Sequence, residues 1–197
     1  MVLAAGSSSR LGTNKLLLEL ESEAIVRLAA RRALAAGLSP VIVVLGSEAD
    51  RVAAALGGLP VTLVINPDHA AGMHASLRAG IARVPADCDA AIVVLADMPL
   101  VTSGMLAEVA ARYHAGSEPL VLSLYGEVQA PPTLYARSLF PALIDPDAES
   151  GRQFIREYRG KTAAVRWPPA LLADLDRPQD LERLRAGMPT HTPPASH

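Results

Sequence analysis

Apolar runs rich in β-branched residues recur along the first half of the chain: Val41-Ile42-Val43-Val44-Leu45, Val61-Thr62-Leu63-Val64-Ile65 and Ala91-Ile92-Val93-Val94-Leu95. Each is continuous rather than alternating, as a strand reads when helices cover both faces of its sheet. Met1 to Ala4 predicts a further strand. It is shorter than the roughly 5–6 residues usual for a central strand, which raises the expectation of a start upstream. Between the runs lie Ala-rich, Arg-dotted segments with helical spacing, over 23–36, 48–56 and 72–83. Gly37 closes the first helix and Pro40 precedes the next strand. Strand–helix alternation of this kind predicts an α/β protein with a mostly parallel sheet and right-handed crossovers.

Beyond residue 115 the rhythm weakens. "EPLVLSLYG" and "APPTLYA" predict two further strands, and the prolines of the second suggest an edge or an entry point. Helices are expected near 136–144, 150–158 and 178–186. A single domain is expected over 1–186, with "GMPTHTPPASH" at 187–197 as a disordered tail.

Composition narrows the classes. Half of the 197 residues are hydrophobic and only 4% are aromatic, so the core is built from Ala, Val and Leu. Net charge is −2, with no basic run interleaved with aromatics, which argues against a nucleic-acid surface. Cys88 is the one cysteine, so neither a disulfide framework nor a cysteine zinc site is available, and a reducing, cytoplasmic home is expected. No apolar run approaches the roughly 18 residues of a spanning helix, and no signal peptide is visible, so no membrane partner is expected.

In a parallel sheet, ligands bind outside the carboxyl ends of the strands. The first such end opens "GSSSRLGTNK", residues 6–15. It is not the P-loop pattern: Gly6 and Gly12 are six apart and Lys15 comes three residues later. Nor is it G-x-G-x-x-G, because Ser8 stands where the second glycine belongs. The chemistry nonetheless suits a polyphosphate. Gly6 admits close backbone approach, consecutive amides of Ser7, Ser8 and Ser9 can form an anion-binding concavity, and Arg10 and Lys15 supply positive charge. An ordinary strand-to-helix loop with solvated basic residues fits the same residues. Asp97 follows a fully apolar strand, and Pro99 ends the ladder two residues later. A carboxylate there is well placed to hold Mg²⁺, or to cap a helix, although Thr102 or Ser103 is the better cap. In "ADLDRPQDLERL", Asp174 and Asp176 share a face if the segment is extended, while Asp180 suits the first turn of a helix.

Taken together, these blocks resemble the MobA-like NTP transferases, most closely the molybdenum cofactor cytidylyltransferase branch. The family pattern L-A-A-G-x-S-x-R-[ML]-G-x-x-K-L-L is met at Leu3, Ala4, Ala5, Gly6, Ser8, Arg10, Leu11, Gly12, Lys15, Leu16 and Leu17. "NPDHAAGMHASLRAG" resembles its N-P-x-x-x-x-G-[LM]-x-x-S-L-x-x-G block, "LADMPLV" its metal-binding D-x-P, and "DLDRPQDL" its closing D-[IL]-D-T-P-x-D-L. The resemblance implies a three-layer α-β-α, Rossmann-like nucleotidyltransferase fold with a mostly parallel mixed sheet. It implies that Leu3, Ala4, Ala5 and Gly6 line the nucleoside, that Arg10 and Lys15 bind the triphosphate beside the Ser7–Ser9 amides, and that Gly72 and Ser76 touch the nucleoside. It implies Mg²⁺ on Asp97 and Asp176, with Asp174 close behind, and catalytic roles for Arg10, Lys15 and Asp97. Ala5, where the guanylyltransferase branch reads glycine, leans toward CTP.

The implied reaction is transfer of a nucleoside monophosphate onto a phosphorylated small molecule, with molybdopterin favoured and pyrophosphate released. A guanylyltransferase, a sugar-phosphate nucleotidyltransferase, or an accessory protein of the same fold without transfer activity are the alternatives, and oligomeric state is left open. The chain departs from the family where G-x-x-G-H-P usually shapes the acceptor pocket: here it reads Gly126-Glu127-Val128-Gln129-Ala130-Pro131-Pro132. Arg177 stands where Thr is usual. Arg152, in "AESGRQFI", suits either an anionic acceptor or a solvated helix. His69 and His74, five apart, have neither a zinc spacing nor a shared helix face and read as loop residues, although His74 could approach the nucleotide. Cys88 reads as inert, Trp167 as packing, and Arg27, Arg31 and Arg32 as the wet face of a helix.

Overall fold

A computed structural model describes residues 1–6, 14–145, 158–173 and 178–187. Strands are β1 (Val2–Ala4), β2 (Glu19–Leu20), β3 (Glu23–Ala24), β4 (Val41–Leu45), β5 (Val61–Ile65), β6 (Ala90–Leu95), β7 (Leu120–Tyr125), β8 (Val128–Ala136) and β9 (Thr162–Trp167). Helices are α1 (Ile25–Ala35), α2 (Ala49–Ala55), α3 (Met73–Ile81), α4 (Ser103–His114), α5 (Phe140–Ile144) and, as numbered here, α6 (Pro178–Gly187). All but β2 and β3 join one sheet in the order β5-β4-β1-β6-β8-β7-β9. The first four strands are mutually parallel. β8 runs antiparallel to both its neighbours, and β7 and β9 are parallel. The sheet is therefore mostly parallel and mixed, as expected.

The continuous apolar runs of β4 and β6 are explained by burial on both faces. In β4, Val41, Val43 and Leu45 pack with Val26, Ala30 and Ala33 of α1 and Val52 of α2, while Ile42 and Val44 pack with Leu77 and Ile81 of α3. Short β1 is nonetheless central, because β4 and β6 pair with it on its two sides. Thr102 is the N-cap of α4, its Oγ1 accepting from the Met105 amide at 3.2 Å. Among the described residues no helix is long and apolar enough to cross a membrane.

Several expectations are corrected. The run 61–65 is not covered on both faces: Leu63 is 41% and Ile65 65% exposed, because β5 is the sheet edge. The proline-bearing strand is interior, between β6 and β7. It tolerates Pro131 and Pro132 because its ladder to β6 begins at Thr133 and its register with β7 shifts between Val121 and Ser123, so no regular amide donor is required there. The segment read as the start of a helix at 23 is instead the second strand of a hairpin, β2–β3. β9 had no counterpart among the expected strands. The expected helix at 150–158 lies outside the described residues except Tyr158, and the expected tail lies outside them except Gly187.

The Arg27–Arg32 face is not simply wet. Arg27 donates to the carbonyls of Ala55 and Gly57, at 3.1 and 2.8 Å. Arg32 is largely covered, its side chain 15% exposed.

Candidate active site

Sheet order locates the switch point. The chain builds β1, steps outward through β4 to β5, then returns to place β6 on the other side of β1. The strand order therefore reverses between β1 and β6, and the crevice outside their carboxyl ends is where an open α/β sheet binds ligands. A cleft of about 310 Å³ opens there, lined among others by Leu3, Ala5, Gly6, Lys15, Ser76 and Asp97.

The charged end of the cleft is a pair: Lys15 Nζ lies 2.5 Å from Asp97 Oδ2, the side chains 16% and 24% exposed. Lys15 opens a single 3-10 turn, Lys15–Leu17. Asn14, itself 4% exposed, fixes that turn: its Oδ1 accepts from the Leu16 amide at 3.1 Å and its carbonyl accepts from the Leu17 amide at 3.0 Å. Leu16 is buried in the core and anchors the turn from below. Asp97 sits in the turn after β6, where Met98 is buried and its amide returns to the Leu95 carbonyl at 3.3 Å.

The other end, lined by His69, Gly72 and Ser76, belongs to the β4–β5 side. Asn66, just past β5, takes a bond from its own amide to the Leu45 carbonyl at 2.8 Å, accepts from the Asp68 amide at 3.0 Å, and donates to Ser76 Oγ at 3.1 Å. Asn66 and Ser76 are both buried, so this chain of bonds ties the strand end to α3. Gly72 has φ 103° and ψ −179°, a region open essentially to glycine alone. Among the described residues no side chain caps the amides at the start of α3, whose N-cap is Gly72. His69 lines the cleft with its Nδ1 buried and lacking a hydrogen-bond partner among the described residues. It packs against Gly46 so closely that a Cβ there would lie 2.5 Å from His69 Cβ and 2.6 Å from the Ala5 carbonyl oxygen.

The turn carrying Asp97 is braced from α1. Arg32 Nη1 donates to the carbonyls of Pro99 and Val101, the latter at 3.1 Å, and Nη2 to Glu21 at 2.8 Å. Burial pulls the Arg32 guanidinium below its ordinary value, and the Glu21 charge opposes this.

Thus Leu3, Ala5, Gly6, Lys15, Gly72, Ser76 and Asp97 come together around one cleft, while Ala4 faces the core beside it. Ser7, Ser8, Ser9, Arg10, Arg152, Asp174, Asp176 and Arg177 lie outside the described residues. Among the described residues His74 keeps both ring nitrogens, and Trp167 its Nε1, buried without a hydrogen-bond partner, while Trp167 packs on the core. Asn14, Arg32, Gly46 and the role of Asn66 were not singled out by sequence reasoning. A capping-type residue directly before Lys15 and a glycine at a strand end were the available signals; Arg32 had none. The 126–132 segment lies at the same end of the sheet as Asp97, because β8 runs antiparallel to β6 with Val93 opposite Thr133.

The model of the MobA-like NTP transferase domain matches residues 1–163. The chain belongs to this family. Among curated relatives, the bifunctional protein GlmU of Leifsonia xyli is 32% identical over 135 residues, covering 66% of this chain and 28% of that protein. The chain thus spans under a third of that relative's length. The purine catabolism protein PucB of Bacillus subtilis is 26% identical, with 94% and 95% covered. Among solved structures, Rv0371c of Mycobacterium tuberculosis superposes with a TM-score of 0.80 at 27% identity, with 95% and 97% covered. A structure of Rv0371c in complex with manganese superposes equally well, at 24% identity.

Proposed function

We propose that this family member is an active nucleotidyltransferase that moves a nucleoside monophosphate group, CMP from CTP by preference, onto a phosphorylated small molecule, with molybdopterin the favoured acceptor. The observation that carries the reading is the Lys15–Asp97 pair at the switch point of the sheet, at one end of a cleft whose other end is lined by Gly72 and Ser76. A triphosphate belongs with the charged end. The nucleoside belongs with Ala5, Gly6, Gly72 and Ser76. Arg10 and the Ser7–Ser9 amides would complete the phosphate cradle.

An acceptor phosphate oxygen, already ionised, attacks the α-phosphorus in line. The bond from the α-phosphorus to the bridging oxygen breaks, and pyrophosphate leaves with that electron pair. No general base is needed; alignment and positive charge suffice. Lys15 binds and orients the triphosphate. A magnesium-type site suits this donor set, since Mg²⁺ is commonly held by one or two carboxylates plus substrate phosphates rather than by an all-protein cage. Asp97 would hold it, with Asp176 and Asp174 as further ligands. When bound, the ion neutralises phosphate charge and stabilises the leaving oxygen. The manganese complex of Rv0371c supports a divalent cation in this fold.

Ala5 in the base-facing position supports CTP over GTP. The altered segment 126–132, on the rim beside Asp97, favours a second reading: an acceptor other than a pterin, or an accessory protein without transfer. Pyrophosphate release with CTP, GTP and ATP across phosphorylated acceptors including molybdopterin tests both. Turnover of CTP with molybdopterin supports the first; nucleotide binding without turnover of any pair sinks it.

A further inference from the structure

Two separate segments deliver the charged pair to the cleft. Lys15 arrives on a turn whose chain runs directly into the β2–β3 hairpin, closed onto α1 by the Ile25 amide donating to the Leu18 carbonyl at 3.0 Å. Asp97 arrives on the turn between β6 and α4. The 2.5 Å separation of the pair depends on how these two segments are held relative to each other.

One side chain touches both. Arg32, on the third turn of α1, donates to Pro99 and Val101 on the Asp97 side and to Glu21 on the Lys15 side. A guanidinium suits this role because its donors are fixed in one plane, so carbonyls from one segment and a carboxylate from another are locked at set angles. Glu21 and Ser22 form the hairpin's two-residue turn at φ 53° and 65°, the positive-φ conformation such a turn requires, and this presents the Glu21 carboxylate to α1. The holding contacts are the Glu21 carboxylate with Arg32 at 2.8 Å and with Arg31 at 3.7 Å.

We infer that Arg32 is a positioning residue: it clamps the hairpin and the β6–α4 turn to α1 so that Lys15 and Asp97 face each other across the cleft. It touches neither side chain. Its consequence for metal-dependent chemistry rests on the nucleotidyltransferase reading; the clamp itself does not.

Crystal structures of the wild type and Arg32→Met test the clamp directly. The expected result is that Lys15 Nζ and Asp97 Oδ2 separate beyond ion-pair distance in Arg32→Met; an intact pair overturns the inference. Should Arg32→Met fail to fold, Glu21→Gln keeps the Pro99 and Val101 contacts and weakens only the hairpin arm. A lengthened pair in that variant supports the clamp, and an unchanged one overturns it. In solution, calorimetric CTP binding with Mg²⁺ and with EDTA gives a readout that loss of stability alone would not move. Supporting residues around metal ligands commonly contribute about 10–100-fold, so Arg32→Met is expected to lose a magnesium-dependent gain of that order. A lowered melting temperature with the magnesium gain and the pair both intact overturns the inference. A broken pair in the variant, with no magnesium gain even in the wild type, keeps the clamp and sinks the nucleotidyltransferase reading.

Discussion

Gly46→Ala is the smallest change that should move the cleft without altering any group in it. The new Cβ would lie 2.6 Å from the Ala5 carbonyl oxygen and 2.5 Å from His69 Cβ. Ala5 cannot yield, because it directly follows β1, which is paired on both sides. The Gly46 backbone must therefore shift to clear the Ala5 oxygen, and His69 must move to clear the new Cβ. Carbon atoms rest at about 3.5–4.0 Å, so His69 must retreat by roughly 1 Å. His69 begins the turn His69–Ala71, and its carbonyl accepts from the Gly72 amide at 3.3 Å, so the start of α3 moves with it. Overpacking of this kind costs about 1–3 kcal/mol. In a domain of this size that is a fall of roughly 2–12 °C in melting temperature. A misplacement near 1 Å at a reacting site can cost on the order of 100-fold in turnover. Calorimetric melting and pyrophosphate release from CTP on the same preparation would read both effects. A variant melting within about 1 °C of wild type with unchanged pyrophosphate release would refute the packing argument, since that clash is worth at least about twice that shift.

Asp97→Ala should abolish metal-dependent pyrophosphate release while leaving the protein folded; because the Lys15 pair is partly exposed, the stability loss should be about 1 kcal/mol or less, and retained turnover would remove Asp97 from the site. Ser22→Gly relieves a left-handed residue at φ 65° in the β2–β3 turn, so it should stabilise by about 0.5–1 kcal/mol net of the entropy glycine adds to the unfolded chain; an unchanged or lowered urea midpoint would contradict this. Burial pushes the Tyr135 hydroxyl up to about 12. Its neutral form is favoured by folding, so this contribution is whole below about pH 10 and is lost as pH rises toward 12, in total about 2–3 kcal/mol. Urea unfolding of wild type and Tyr135→Phe across that window should show a shallower alkaline decline in the variant.

β1, β4 and β6 were legible because they are buried on both faces, and that condition writes itself as an unbroken apolar run; β5 writes the same run although its edge position leaves Leu63 and Ile65 exposed. The prolines of β8 misled for a local reason. Their usual meaning, a sheet edge, assumes a regular ladder, and the register shift opposite Val121–Ser123 removes that assumption. β2 and β3 are two residues each, too short to carry any periodicity, and β9 alternates burial on the far side of the sheet, where no motif points to it.

The chain by itself determined which chemistry is available: a Gly-Ser loop with Arg10 and Lys15, a carboxylate after a buried strand, and a glycine-and-serine block opening α3. Motif spacing carries this because each group must sit at a strand end or a helix start, positions that local patterns mark. Tertiary structure alone decided how those groups meet. The return of β6 to the far side of β1 sets Asp97 against Lys15. Gly46 seats His69 over Ala5. Arg32, read from its helix as a solvated charge, closes onto carbonyls 67 and 69 residues away. Contacts between segments that distant depend on the topology of the whole sheet, and no local pattern in the chain encodes them.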